Sequence, residues 1–148
     1  YSHVDSLLQY GLEMQRIQRW LVNRYSPEDW SLHDSLAYNY TKNMFYANIS
    51  EGTGKQVSVN DTVVAFYKGY LFSDNSVFDQ TKDKPATFPL NRLIKGWQIG
   101  VPLCNIGGKI KLIIPSNLGY SIRTRAAKIP PNSILVFEIE VVDAKSPQ

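Results

Sequence analysis

The feature that most limits the fold is a set of strand-like segments that fills the chain after residue 44. Four segments are rich in β-branched and aromatic residues or alternate between apolar and polar side chains: 44–49, 62–67, 109–114 and 133–142. One helical pattern interrupts them at 90–100, where apolar residues recur at helical spacing: Leu93, Ile94, Trp97 and Val101. The pattern predicts an α+β fold, an antiparallel sheet wrapped around one short central helix.

Residues 1–43 follow a different pattern. Apolar residues recur there at steps of three and four, the spacing of one helix face: Leu7, Tyr10, Met14, Ile17 and Leu21. They predict a helix over residues 4–23, and the Ser-Pro-Glu-Asp run at 26–29 is typical of a second helix start. We therefore predict an N-terminal helical segment at 1–43 followed by a β-rich domain at 44–145.

The apolar face of this N-terminal helix needs a partner surface. We favour packing on the chain's own domain, and packing on a second copy is the alternative, so the chain is expected to be a monomer or a dimer through this helix. In a further interpretation residues 1–43 are the functional part, a dimerising or docking helix.

Composition excludes several classes of function. The net charge is only +3 and the basic residues are scattered, so no nucleic-acid partner is expected. No apolar stretch approaches the length of a membrane span. The single cysteine, Cys104, excludes an internal disulfide framework and is expected to be a small buried hydrophobic residue. His3 and His33 are far apart and have no neighbour at ligand spacing, so no metal site is predicted.

Six short motifs occur in the order and at nearly the spacing of one known family. They are Phe66-Tyr67-Lys68-Gly69, Phe78-Asp79, Ile94-Lys95-Gly96-Trp97, Tyr120, the Ile-Pro-Pro-Asn-Ser run at 129–133 and the strand at 136–141. In these motifs the chain resembles the FKBP-type peptidyl-prolyl cis–trans isomerases, the macrolide-binding immunophilins. The resemblance implies a non-covalent, cofactor-free enzyme that accelerates rotation about X-Pro bonds in proline-containing client polypeptides and so assists their folding.

The resemblance also implies which residues form the site. Trp97 would be the floor of an aromatic cup for the prolyl ring, Asp79 would favour the rotated amide electrostatically, and Tyr120 and the backbone N–H of Ile94 would each donate a hydrogen bond to a substrate carbonyl. The implied catalytic residues are Tyr67, Asp79, Trp97, Tyr120 and Phe137. The implied substrate-binding residues are Phe78, Leu93, Ile94, Ile129 and Phe88.

Asp79 is the most informative of these residues when it is considered without the resemblance. A carboxylate directly after a core aromatic residue is costly unless it has a partner, so we expect it to have one. The other interpretation is a hydrogen bond to loop backbone N–H groups. The family's basic partner for this carboxylate falls in residues 80–87, where Lys82 and Lys84 are both candidates.

Other positions depart from the family. The rim of the pocket is predicted to be basic, through Arg92, Arg123, Arg125 and Lys128. A basic rim predicts a preference for acidic or uncharged residues near the proline, and it should weaken the affinity for macrolide ligands. These departures leave one alternative function, a peptide-binding or chaperone module of the same fold with little isomerase activity. The resemblance to isomerases with a helical leader favours a bacterial periplasmic or outer-membrane-anchored location, with the cytoplasm as the alternative.

Overall fold

The computed structural model describes residues 3–24, 39–120 and 128–147. Within these ranges the chain forms two α-helices and seven β-strands. In chain order they are α1 (His3–Arg24), β1 (Asn39–Thr41), β2 (Met44–Ser50), β3 (Thr62–Leu71), β4 (Val77–Gln80), β5 (Ala86–Pro89), α2 (Lys95–Gly100), β6 (Lys109–Ile114) and β7 (Leu135–Lys145). Short 3-10 turns lie at Leu90–Arg92, Val101–Leu103 and Ser116–Leu118.

The strands form one antiparallel sheet in the order β1-β2-β6-β7-β3-β4, and β5 also pairs with β3. The two longest strands, β3 and β7, pair along their whole length, from Thr62 opposite Lys145 to Leu71 opposite Leu135. In the middle of β7 the odd-numbered residues are buried and the even-numbered residues are exposed, as the alternation in the sequence predicts. The sheet therefore has an inner face that carries the main core.

The short helix α2 packs against this inner face because two glycines let it approach β6 closely. A Cβ on Gly96 would lie 2.5 Å from Cδ1 of Ile114, and a Cβ on Gly100 would lie 2.5 Å from Cδ2 of Leu112. Both distances are shorter than a van der Waals contact, so larger residues would push the helix away from the sheet. The predicted fold class, one short helix within an antiparallel sheet after an N-terminal helix, is confirmed.

The central helix is shorter than the pattern at 90–100 predicted. A 3-10 turn comes first, and Leu93 and Ile94 are then extended, with ψ values of 176° and 152°. The helix begins only at Lys95. Leu93 and Ile94 lie three to four residues before Trp97, which is helical spacing, because both contact the core. An extended segment makes such contacts as well as a helix does.

The C-terminal half of α1 packs on the outer face of the sheet, away from α2. Met14 and Ile17 are buried there with Phe45, Ile113 and Val136, in a second apolar cluster. The structure thus shows the favoured arrangement, packing on the chain's own domain, for this half of the helix. The N-terminal half of α1 keeps large apolar side chains exposed: Val4, Leu7, Leu8 and Leu12. Association through this helix stays a prediction.

Sequence reasoning missed three short strands. β4 and β5 have four residues each and β1 has three, too few to display an alternation. Pro89, the last residue of β5, has no N–H to donate to the sheet.

The second helix start predicted at 26–29 lies outside the described residues. The division of the chain between residues 43 and 44 also stays a prediction. No helix in the described ranges is long and apolar enough to cross a membrane.

Candidate active site

Aromatic side chains from five elements converge on the inner face of the sheet. They are Tyr67 of β3, Phe78 of β4, Phe88 of β5, Trp97 of α2 and Phe137 of β7. The pairing of β3 with β4, β5 and β7 brings four of these elements together, and the packing of α2 on the sheet brings the fifth. We call this group the aromatic cup.

Trp97 is the floor of the aromatic cup. Its indole is only 5% exposed and makes edge-to-face contacts with three rings. The ring centroids of Tyr67, Phe88 and Phe137 lie 5.4, 5.3 and 5.1 Å from it. Edge-to-face pairs at such distances contribute stability beyond that of the apolar area they bury. The rings therefore hold one another in a fixed arrangement and do not form a loose apolar patch.

Gly69 makes room for one corner of the cup. A Cβ at this position would lie 2.6 Å from Cε1 of Phe137 and 2.8 Å from Cζ of Phe78. These two rings pack edge to face with centroids 5.5 Å apart, directly over the glycine. The glycine of the Phe-Tyr-Lys-Gly motif is therefore required by ring packing.

Tyr67 and Asp79 form a hydrogen-bonded pair at the edge of the cup. The Tyr67 hydroxyl donates to Oδ2 of Asp79 at 2.7 Å. Burial, the hydrogen bond to Asp79, the charge of Asp79 and the nearby Tyr120, in that order of importance, together raise the pKa of Tyr67 to about 12. The phenol therefore stays protonated at neutral pH.

The partner of Asp79 differs from the one that the sequence suggested. Neither Lys82 nor Lys84 forms an ion pair with Asp79 among the described residues, and the partner is the Tyr67 hydroxyl. Asp79 thus has a hydrogen-bond partner, as we expected, although its side chain is exposed at the mouth of the cup and not buried. Water therefore solvates the carboxylate on the side that Tyr67 leaves open.

The segment before α2 forms the opposite wall. Nε2 of Gln98 donates to the carbonyl of Leu93 at 2.7 Å and to that of Asn91 at 3.3 Å, which fixes this segment against the helix. The Ile94 carbonyl accepts from the N–H groups of Trp97 and Gln98. The Ile94 N–H donates to no acceptor in the described part of the chain. Within the described ranges, this wall thus offers a backbone N–H to a ligand.

These parts enclose one pocket of about 570 Å³. Its lining consists of Tyr67, Phe78, Asp79, Phe88, Arg92, Leu93, Ile94, Lys95, Trp97, Gln98, Asn117, Gly119, Tyr120 and Phe137. Apolar rings form its base and polar groups surround its mouth, an arrangement typical of sites that bind a partly apolar ligand in one orientation. Within the described ranges no three acidic, histidine or cysteine side chains cluster as metal ligands.

A family model described as FKBP-type peptidyl-prolyl cis-trans isomerase matches residues 53–142, which contain all five aromatic residues of the cup. The chain belongs to this family. The resemblance inferred from the motifs is confirmed.

Relatives and solved structures agree with the FKBP-type assignment. The probable FKBP-type isomerase FkpA of Neisseria meningitidis is 41% identical over 105 residues, which are 70% of this chain and 38% of that protein. FkpA of Escherichia coli K12 is 41% identical over 104 residues, 69% of this chain and 38% of that protein. The chain therefore spans less than half the length of these curated relatives.

Crystal structures of related isomerases match the fold. The structure of FkpA from Escherichia coli matches 97% of this chain and 67% of that chain, with a TM-score of 0.68 and 32% identity. A peptidyl-prolyl cis-trans isomerase from Pseudomonas syringae matches 83% of this chain and 85% of that chain, with a TM-score of 0.67 and 29% identity.

The structure brings together all of the FKBP-type site residues named from the sequence except one. Ile129 is 5% exposed and lies in the main core cluster, outside the pocket lining. Of the predicted basic rim, Arg92 lines the pocket, Lys128 is exposed and does not line it, and Arg123 and Arg125 lie outside the described residues. The catalytic and binding roles of these residues stay predictions.

Four residues of this FKBP-type pocket were not predicted as site residues from the sequence: Lys95, Gln98, Asn117 and Gly119. Lys95 lies inside the Ile-Lys-Gly-Trp motif and Gln98 directly follows it, so their closeness to Trp97 was a usable signal. Asn117 and Gly119 precede Tyr120 in a 3-10 turn and its end, and nothing in their spacing indicated that they face the cup.

Proposed function

We propose that the chain is a prolyl isomerase that accelerates rotation about X-Pro bonds in polypeptides without a covalent intermediate. The observation that carries the proposal is the aromatic cup on Trp97 with the Tyr67–Asp79 pair at its edge. A cup of rings with few polar groups suits a prolyl ring, and the polar groups at its mouth suit the amide that precedes that ring.

The reaction needs no nucleophile. Rotation about an amide costs about 18–20 kcal/mol because the twisted bond loses its conjugation. A site lowers this barrier if it binds the twisted amide better than either planar form. A twisted amide is less polar than a planar one, and the cup removes water from around it, so transfer into the cup favours the twisted form.

The polar groups at the mouth give the twisted amide its orientation. The Ile94 N–H, which has no acceptor among the described residues, would donate to a substrate carbonyl, and Tyr120 lines the same pocket. The Asp79 carboxylate adds a fixed negative charge beside the cup. Such fixed dipoles and charges need no reorganisation during the reaction, and about 1.4 kcal/mol of differential stabilisation suffices for each tenfold in rate.

The direct test is the cis-to-trans conversion of short X-Pro peptides with the intact chain. Asp79→Asn keeps the size of the side chain and removes its charge, and we expect kcat/KM to fall about tenfold or more. Asp83→Asn is the matched control, because Asp83 is exposed in the following loop and does not line the pocket. Peptide binding by a folded chain with no acceleration would reject the enzyme and support the alternative, a peptide-binding module.

The charges at the mouth support a preference for acidic residues near the proline. Arg92 and Lys95 are both exposed on the pocket lining, and Asp79 is the acidic side chain on the same lining. We expect peptides with Glu beside the proline to have a higher kcat/KM than peptides with Lys there, and high salt to reduce the difference. Arg92→Glu should lower the ratio of kcat/KM for the Glu peptides to kcat/KM for the Lys peptides. If this ratio does not change in Arg92→Glu, the proposal is contradicted.

The location proposed for the protein is the bacterial cell envelope, in the periplasm or at the outer membrane. The relatives from Neisseria meningitidis and Escherichia coli are bacterial proteins, and the resemblance to isomerases with a helical leader supports the envelope. Fractionation of the source cells tests this proposal. Recovery of the protein in the soluble cytoplasmic fraction would favour the alternative.

A further inference from the structure

Glu13 of α1 is a fully buried carboxylate that the packing of the helix does not require. Its side chain is 0% exposed, whereas its neighbours Met14 and Ile17 bury apolar groups in the second cluster. A buried carboxylate is expensive unless hydrogen bonds satisfy it, and an apolar side chain of similar volume would often be at least as stabilising. Its presence therefore calls for a reason other than docking of the helix.

Glu13 contacts one turn of the β-rich domain through both of its carboxylate oxygens. Oε1 accepts a hydrogen bond from the backbone N–H of Ser116, and Oε2 accepts one from the Ser116 hydroxyl, each at 2.5 Å. Nε2 of Gln9, one turn earlier on α1, donates to Oε2 at 2.7 Å. Ser116 itself is 2% exposed, so water does not compete for these bonds.

The turn that Glu13 holds leads directly into the aromatic cup's pocket. Ser116 begins the 3-10 turn Ser116–Leu118, and no local side chain caps it, so Glu13 supplies the acceptor for its first N–H from a distant part of the chain. Asn117, Gly119 and Tyr120 all line the pocket. The N–H of Gly119 donates to the carbonyl of Ser116 at 3.0 Å, so the position of Gly119 depends on that of Ser116.

We propose that Glu13 is a positioning residue for the isomerase reaction. Its carboxylate fixes the Ser116 turn and thereby places Tyr120 and Asn117 at the mouth of the pocket. The N-terminal helix is then coupled to the active site through one buried hydrogen-bonded contact, although no residue of α1 lines the pocket. This inference rests on the proposed isomerase activity, so its test includes a measurement that does not depend on activity.

The first test compares variants of the intact chain in the X-Pro peptide assay. Glu13→Ala removes both acceptors, and we expect kcat/KM to fall roughly tenfold, because small misplacements of groups around a reacting centre cost at least that much. Glu13→Gln keeps an acceptor for the Ser116 N–H and should recover most of the activity. Ile17→Val is the matched control, since it weakens the packing of α1 and leaves the carboxylate in place. Its kcat/KM should equal that of the original chain.

The second test asks whether Glu13 acts through Tyr120. If it does, Glu13→Ala should cost much less in a Tyr120→Phe background than in the original chain, because the group that it positions is already absent. Equal losses in both backgrounds would overturn the proposal. So would a Glu13→Ala chain as active as the original, or as active as Ile17→Val.

The third measurement separates this proposal from the proposed function. In Glu13→Ala the backbone amide NMR signals of Asn117, Gly119 and Tyr120 should shift, and in Ile17→Val they should stay near their original positions. Unchanged signals in Glu13→Ala overturn the positioning role even if the chain is active. Absence of activity in the original chain refutes the proposed function and leaves the positioning of the turn to be decided by these signals. If Glu13→Ala does not fold, Ser116→Ala, which removes one of the two bonds, replaces it in all three measurements.

Discussion

The substitution Gly69→Ala would place one methyl group in the corner of the aromatic cup. The new Cβ would lie 2.6 Å from Cε1 of Phe137 and between 2.8 and 2.9 Å from two ring carbons of Phe78. Carbon atoms pack at about 3.5–4.0 Å, so one or both rings must move by roughly 1 Å. Phe137 cannot move alone, because it is 4% exposed and packs edge to face on Trp97 at 5.1 Å.

The two effects of this methyl group can be estimated separately. Overpacking of a close-packed core costs about 1–3 kcal/mol of unfolding free energy. Displacement of the rings by roughly 1 Å should lower kcat/KM by about tenfold to a hundredfold, since shifts of that size are enough to spoil the fit to a transition state. Activity should therefore fall further than the fraction of folded protein does.

Urea unfolding and the X-Pro peptide assay measure the two effects on the same samples. Gly11→Ala is the matched control, because a Cβ on Gly11 would meet no atom within 4 Å. That change in the helix should raise the unfolding free energy by about 0.5–1 kcal/mol and leave kcat/KM unchanged. A Gly69→Ala chain with the original stability and the original activity would refute the reasoning from ring packing.

Three other predictions follow from single residues. The pKa of Tyr67 is raised from 10.0 to about 12 in the folded chain, so the stability that its neutral phenol contributes is complete below pH 10.0 and is lost as the pH rises through about 12. Urea unfolding should show this alkaline loss in the original chain and a smaller one in Tyr67→Phe. Burial raises the pKa of the Cys104 thiol, which is 1% exposed, so a thiol reagent should modify it only after unfolding. Ile17→Val removes a methyl group from a fully buried position and should lower the unfolding free energy by about 0.5–1.5 kcal/mol, again measured in urea.

The sequence was sufficient for the parts of the fold that are long and periodic. β3, β6 and β7 each have at least six residues and bury the side chains of their inner face, so their composition and alternation identified them. The motifs around Tyr67, Trp97 and Phe137 then located the aromatic residues, because each motif lies within a long strand or in the central helix. The short strands β4 and β5 are formed by their pairing with β3, a tertiary effect that local patterns do not record.

The hydrogen-bonded contacts were beyond the reach of the sequence. Tyr67 and Asp79 are partners because β3 and β4 pair, and the register that joins them contains a bulge after Gly69. Glu13 lies on the buried face of α1 next to Met14. From the sequence alone, a charged residue in that position is predicted to be exposed to solvent. Only the docking of α1 beside Ser116 shows which groups donate hydrogen bonds to the carboxylate.

The central claim is that the cup on Trp97 is where X-Pro bonds rotate. The measurement that tests it most directly is the isomerase assay of Trp97→Ala beside Trp20→Ala, which removes a tryptophan that packs on Phe72 on the other face of the sheet. With both variants shown to be folded, we predict that Trp97→Ala loses most of the acceleration and that Trp20→Ala keeps it. Equal activity in the two variants would contradict the placement of the site in the cup.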